Sequence, residues 1–167
     1  MDFGVGDNVV MPGCGVGRIE AVEKKDFGGG ARVELFRITL ECEDARVWIP
    51  VDRIGEKRVR PVMDADRVDE TIALISEQEA PKKRKNWNQR RRRYDEMLQS
   101  NSPKIMAKLL GELAAVREGK PLTFTEKKLF RQVWDLLEAE FAASLGVERD
   151  TVAARLEEVT TAEAAAA

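Results

Sequence analysis

The chain has no histidine among its 167 residues. That removes imidazole acid–base catalysis, Ser-His and Cys-His nucleophile pairs, and most zinc and non-haem iron ligand sets. No catalytic residue, metal site or cofactor is expected. Cysteine is almost as scarce. Cys14 and Cys42 form no CxxC pair and suit free thiols in a reducing compartment. No apolar run approaches the ~20 residues of a membrane-spanning helix. The opening MDFGVGD lacks the basic and apolar regions of a signal peptide. A cytoplasmic protein with no membrane contact is expected.

Charge is abundant, at 35% of residues, and nearly balanced at net −2. One stretch breaks that balance. KKRKNWNQRRRR, from Lys82 to Arg93, holds eight positive charges and no negative one; without it, 20 basic residues stand against 30 acidic ones. Like charges held together repel and call for a compensating anion. The 43% hydrophobic content is enough for packed cores in one domain or two small ones.

Two periodicities divide the chain. Up to about residue 60, short apolar runs (8–11, 16–22, 32–40 and 46–51) alternate with the turn signals PGCG, FGGG and ECED. They predict a small Tudor- or SH3-like β-barrel over residues 1–62. From Asp64 the period is helical, and a compact all-helical domain is expected over 63–160, giving an α+β protein. Asp64 is placed to cap a helix carrying Val68, Ile72 and Ile75. Ser102-Pro103 opens another, with Ile105, Met106, Leu109, Leu110 and Leu113. Thr123-Phe-Thr-Glu126 is a capping box, and Gly146 is a stop for the helix it starts. A last helix spans about 148–159. The closing TTAEAAAA offers nothing to pack, and 161–167 is expected to be a disordered Ala-rich tail.

GCGVG at 13–17 has the glycines of a phosphate loop, but a strand-like RIEAV follows where such loops need a helix. A turn is expected. In RVWIPV, alternation puts Val47, Ile49 and Val51 on one face and Arg46 and Trp48 on the other. Lys25 and Phe27 share a face in the same way before the glycine turn. These four side chains describe either a partner surface or a Trp shielded by the barrel edge. The basic stretch, read as a helix from Asn86, puts Trp87, Arg91, Tyr94 and Leu98 on one stripe. Trp87 is then either the first core residue of that stripe or an apolar group framed by phosphate-binding cations. In the second case it suits a minor-groove wedge or a stacking platform for single-stranded bases.

VGDNVVMPGCGVGRIEAVE is similar to the V-G-D-x-V-V-Y-P-x-x-G-x-G-x-V opening of the CarD/CdnL family of bacterial transcription regulators. IPVDRIGEKRVRPV, NWNQRRRRYDEML and TFTEKKLFRQVWDLLEAEFAASLG resemble later segments of that family, so the likeness runs from about Val5 to about Leu156. The resemblance implies a Tudor-like domain that docks on the RNA polymerase β subunit. It also implies a helical domain that holds promoter DNA at the upstream edge of the melted bubble, with little sequence specificity. A Trp wedges into the minor groove there and stabilises the open complex. Carried over, Trp87 matches the wedge and Arg90 and Arg92 match basic positions after it; Lys85, Arg91 and Arg93 of the same basic stretch are expected to bind DNA beside them. Lys25 and Phe27 match strand positions used against polymerase, and with Arg46 and Trp48 they are the expected polymerase-binding face. Gln89 and Arg91 stand where many members have Arg and Tyr, Met11 where Tyr is usual, and Trp48 where some have Arg.

The expectation is therefore a monomeric, non-enzymatic initiation regulator bridging polymerase and promoter DNA. The alternatives are a free-standing nucleic-acid-binding module and a protein adaptor without polymerase contact.

Overall fold

The alternating first sixty residues form, in the computed structural model, five strands: β1 (Asn8–Met11), β2 (Gly15–Asp26), β3 (Arg32–Leu40), β4 (Arg46–Pro50) and β5 (Arg60–Pro61). The structure describes residues 3–41, 44–81 and 86–161. It divides into two units, Met1–Val62 and Met63–Ala167. All strand pairs are antiparallel, in the order β4-β3-β2-β1-β5. Gly13 lies in the β1–β2 turn at φ 72°, Gly15 closes it opposite Met11, and the chain continues as a strand. Val9, Ile19, Phe36, Ile38, Leu40, Ile49, Ile54 and Val59 form the core of this unit, and Cys14 packs partly buried against it. Cys42 lies outside the described residues.

The β2–β3 register shifts between Ile19 and Ala21. Such a bulge bends the strand and increases its twist. Beyond it the hairpin runs to a turn where Gly28, Gly29 and Gly30 have φ of 94°, 77° and 79°. Three successive residues at positive φ are accessible at low cost only to glycine.

The second unit holds α1 (Val68–Ser76), α2 (Trp87–Gln99), α3 (Pro103–Gly119), α4 (Phe124–Leu145) and α5 (Arg149–Thr160). The expectation that Asp64 caps the first helix is not met. Asp64 precedes a single 3-10 turn, Ala65–Arg67, and its side chain makes no capping bond. The cause is tertiary. Met63 N–H donates to the buried Glu140 carboxylate (3.2 Å), and Ser144 Oγ donates to the Met63 carbonyl (2.6 Å). The chain therefore enters the helical unit pinned to α4. The other end signals act locally. Ser102 accepts from Ile105 N–H, Thr123 and Glu126 make both halves of a capping box, and Gly146 ends α4 in the left-handed region at φ 67°.

All five helices contribute to one core, which includes Ile72 and Ile75, Tyr94 and Leu98, Leu109 and Leu113, Val133 and Phe141, and Val152 and Leu156. Thr160, read from the sequence as the first residue of the unpacked tail, is 3% exposed. Its hydroxyl donates to the Leu156 carbonyl and its own carbonyl accepts from Arg117, so it belongs to the packed end of α5. Residues 162–167 lie outside the described residues.

Candidate functional site

Helix α2 starts at the tryptophan because Asn86 caps it, its side chain accepting from Asn88 N–H at 3.1 Å. Its apolar residues come late. Tyr94 and Leu98 are 1% and 5% exposed. Burial at that level stabilises by roughly 1.5–3 kcal/mol each, which ties the C-terminal half of α2 to the core. The N-terminal half carries the cations and Trp87, which is only half-buried. Burial raises the Tyr94 hydroxyl to about 12, helped by the negative Glu112 nearby, so it stays neutral at any physiological pH.

The four arginines have two different surroundings. Arg93 donates to both oxygens of Glu112 on α3, at 2.9 and 3.0 Å, and Glu112 is 7% exposed. Arg90 lies over the Trp87 ring, 4.9 Å from its centroid, and its guanidinium is 3.8 Å from the buried Glu126 carboxylate. Glu126 is also the acid of the α4 capping box. Arg90 thus links the Trp87 ring to the first turn of α4. Arg91 and Arg92 are exposed, and among the described residues neither forms an ion pair. The basic stretch therefore holds part of its anionic compensation inside the fold, at Glu112 and Glu126. The cation–π contact to the Trp87 ring comes from the Arg90 guanidinium. Lys85 lies outside the described residues.

A cavity of about 290 Å³ opens beside Trp87, lined also by Arg91, Tyr94, Asp95, Phe124 and Lys128 among others. Phe124, the first residue of α4, is 84% exposed. Sequence reading missed it. It falls on the polar stripe with Lys128 and Gln132, away from Leu129 and Val133, and a large apolar residue on a polar stripe was the available signal. A larger cavity of about 650 Å³, lined by Arg117, Leu122, Phe130 and Trp134 among others, includes none of the residues predicted from sequence.

On the sheet, β3 and β4 pair with Arg37 opposite Trp48. Trp48 is 41% exposed. Its Nε1 donates to Glu23 at 2.9 Å, Lys25 Nζ lies 4.6 Å from its ring centroid, and Arg37 donates to the other Glu23 oxygen at 2.8 Å. Leu35, 4% exposed, pairs in register with Glu23 and Pro50. Phe27 follows β2, opens the glycine turn and is 70% exposed; Arg46 is exposed at the start of β4. Lys25 and Trp48 are thus in contact through a cation–π pair, whereas among the described residues no hydrogen bond, ion pair or ring contact joins Phe27 or Arg46 to them.

The Trp48 indole N–H is the main cause that holds the Glu23 carboxyl below the ordinary value of 4.5; the nearby Arg37 and Lys25 charges act in the same direction. A carboxyl with a lowered folded pKa contributes stability above its unfolded pKa and loses it as pH falls through the folded value. Trp48→Phe is expected to raise the Glu23 midpoint toward 4.5, read by NMR titration of its side-chain carboxyl. An unmoved midpoint would assign the depression to Arg37 and Lys25 instead.

Among known proteins, residues 70–157 match the family model described as the CarD C-terminal domain, and residues 3–63 match the CarD-like/TRCF RID domain. The chain is 26% identical over 145 residues to a Bacillus subtilis (strain 168) protein described as "Putative transcription factor YdeB". That match covers 87% of this chain and 94% of the relative.

Proposed function

The chain belongs to the CarD family, transcription regulators that are not enzymes and whose first domain is of an RNA polymerase-interacting kind, and on that premise we propose that it stabilises the promoter open complex. The first unit docks on the polymerase β subunit through the Lys25, Trp48 and Phe27 side of its sheet. The second then meets the upstream edge of the bubble with Trp87 as the wedge and Arg91 and Arg92 on the phosphates. Arg90 positions the wedge. Docking raises the local concentration of the basic helix near DNA to roughly millimolar for a short tether, so weak DNA affinity suffices. Phosphate contacts carry no base information, and promoter choice is left to the polymerase holoenzyme. A wedge that fits only the distorted junction favours the open state by its extra affinity for that state.

The observation that carries this reading is the half-buried Trp87 at the head of a cationic helix whose core contacts are made seven and more residues later, by Tyr94 and Leu98. The internal pairs of Arg90 and Arg93 favour the adaptor alternative in part, since those two cations serve the fold.

Trp48→Glu tests the docking step. It removes the indole donor, places a second carboxylate beside Glu23, and ends the Lys25 contact. An interface anchor is worth at least ~2 kcal/mol, so affinity for purified polymerase is expected to fall about 30-fold, with only a small drop in the thermal melt because the Glu23 and Lys25 contacts lie at the surface. Native affinity in a natively melting variant would reject docking through this face.

A further inference from the structure

We propose that Trp87 and Phe124 are the two sides of a cleft that holds one unpaired nucleobase from the melted strand. This rests on the promoter-junction reading above and adds a ligand and a residue to it. Phe124 is the first residue of α4 and is 84% exposed. At that exposure it adds little to the core of its own unit. It lines the same cavity of about 290 Å³ as the half-buried Trp87. That volume is at the lower end of small-ligand sites and suits a single flat ring system rather than a peptide or a duplex.

The lining matches a nucleotide in its chemistry. The Trp87 and Phe124 rings offer π-faces, Arg91 and Lys128 offer cations for a flanking phosphate, and Asp95 and Gln132 offer groups for base-edge hydrogen bonds. Bases extruded from a duplex are held in this way, stacked on aromatic side chains with polar groups reading the edge. The first turns of the helices that carry the two aromatic residues are also linked. Arg90 lies over Trp87 and pairs with Glu126, and Glu126 bonds Thr123 N–H, one residue before Phe124. A junction with one displaced base thus meets two aromatic side chains, whereas intact duplex meets only Trp87 and the cations.

The test uses the full chain and fork-junction DNA carrying one unpaired 2-aminopurine at the junction, compared with the same fork abasic at that position and with plain duplex. Wild type is expected to bind the base-bearing fork roughly tenfold tighter than the abasic one and to quench the probe. Phe124→Ala should lose most of that preference while its duplex affinity stays within twofold, and Phe124→Trp should restore it. A wild-type protein indifferent to the unpaired base overturns the cleft. So does a Phe124→Ala protein that keeps the preference. If Trp87→Ala nevertheless shortens open-complex lifetime, the wedge stands and only the cleft falls. A wild type that binds none of the three DNAs overturns both.

Discussion

Trp87→Ala is expected to shorten the half-life of the promoter open complex several-fold while the helical unit melts within about 4–8 °C of wild type. Truncating a fully buried Trp costs about 3–5 kcal/mol. Trp87 is half-buried at the first turn of α2, and the core there is held by Tyr94 and Leu98. Its removal should therefore cost the fold only ~1 kcal/mol, as partly exposed sites do. The functional loss is larger because unstacking a base step costs a few kcal/mol, offset in the complex by ring contacts that Ala cannot make. Exchanging the cations should give the opposite pattern. Arg91→Gln/Arg92→Gln is expected to flatten the slope of log affinity against log salt on linear duplex by about 2, with little change in melting. Arg93→Gln should leave the slope nearly unchanged and lower the melting temperature, because it strands the buried Glu112 carboxylate. Half-life, salt titration and melts on the same four proteins separate these outcomes. A Trp87→Ala protein of native stability with an unchanged half-life would end the wedge reading, and a strongly destabilised one would return Trp87 to the core.

Gly111→Ala is expected to lower the stability of the helical unit by about 2–3 kcal/mol. On an exposed helix this exchange would gain up to ~1 kcal/mol from propensity alone. Gly111 sits in the middle of α3 against α1, and a Cβ there would overlap the Ile75 carbonyl oxygen and come within 2.7 Å of Gln78 Cγ. A side-chain tip moves aside cheaply; a backbone carbonyl does not. Helices α1 and α3 would have to separate, loosening the contacts of Ile72 and Ile75 with Leu109 and Leu113. Circular-dichroism melts of both proteins measure the shift, and a variant as stable as wild type would show that the two helices can part without loss.

Much of the fold is legible because its signals act over a few residues. Alternation in RVWIPV predicts that Val47, Ile49 and Val51 face inward, and Ile49 is in the core with Val47 and Val51 packed against it, while Arg46 and Trp48 are exposed. The Thr123–Glu126 box and Gly146 bound α4 through contacts three or four positions apart. The same short range explains the misses. Asp64 looks like a cap, but Met63 is held by Glu140 and Ser144, which no local pattern reveals. Thr160 looks like the start of a tail, but Arg117 reaches its carbonyl from α3.

By itself, then, the sequence determined an α+β chain with a strand-rich first part, a helical second part and a concentrated block of positive charge around one tryptophan, because period, caps and composition are properties of neighbouring residues. Only the tertiary structure decided how those charges are used. Glu112 lies 19 residues from Arg93 and Glu23 lies 25 from Trp48. Packing therefore commits Arg90 and Arg93 to buried carboxylates, leaves Arg91 and Arg92 to solvent, and brings Phe124 to the cavity beside Trp87. Which cations are free and which rings share a cleft depends on where separate helices cross, and that geometry is written in no single stretch of the chain.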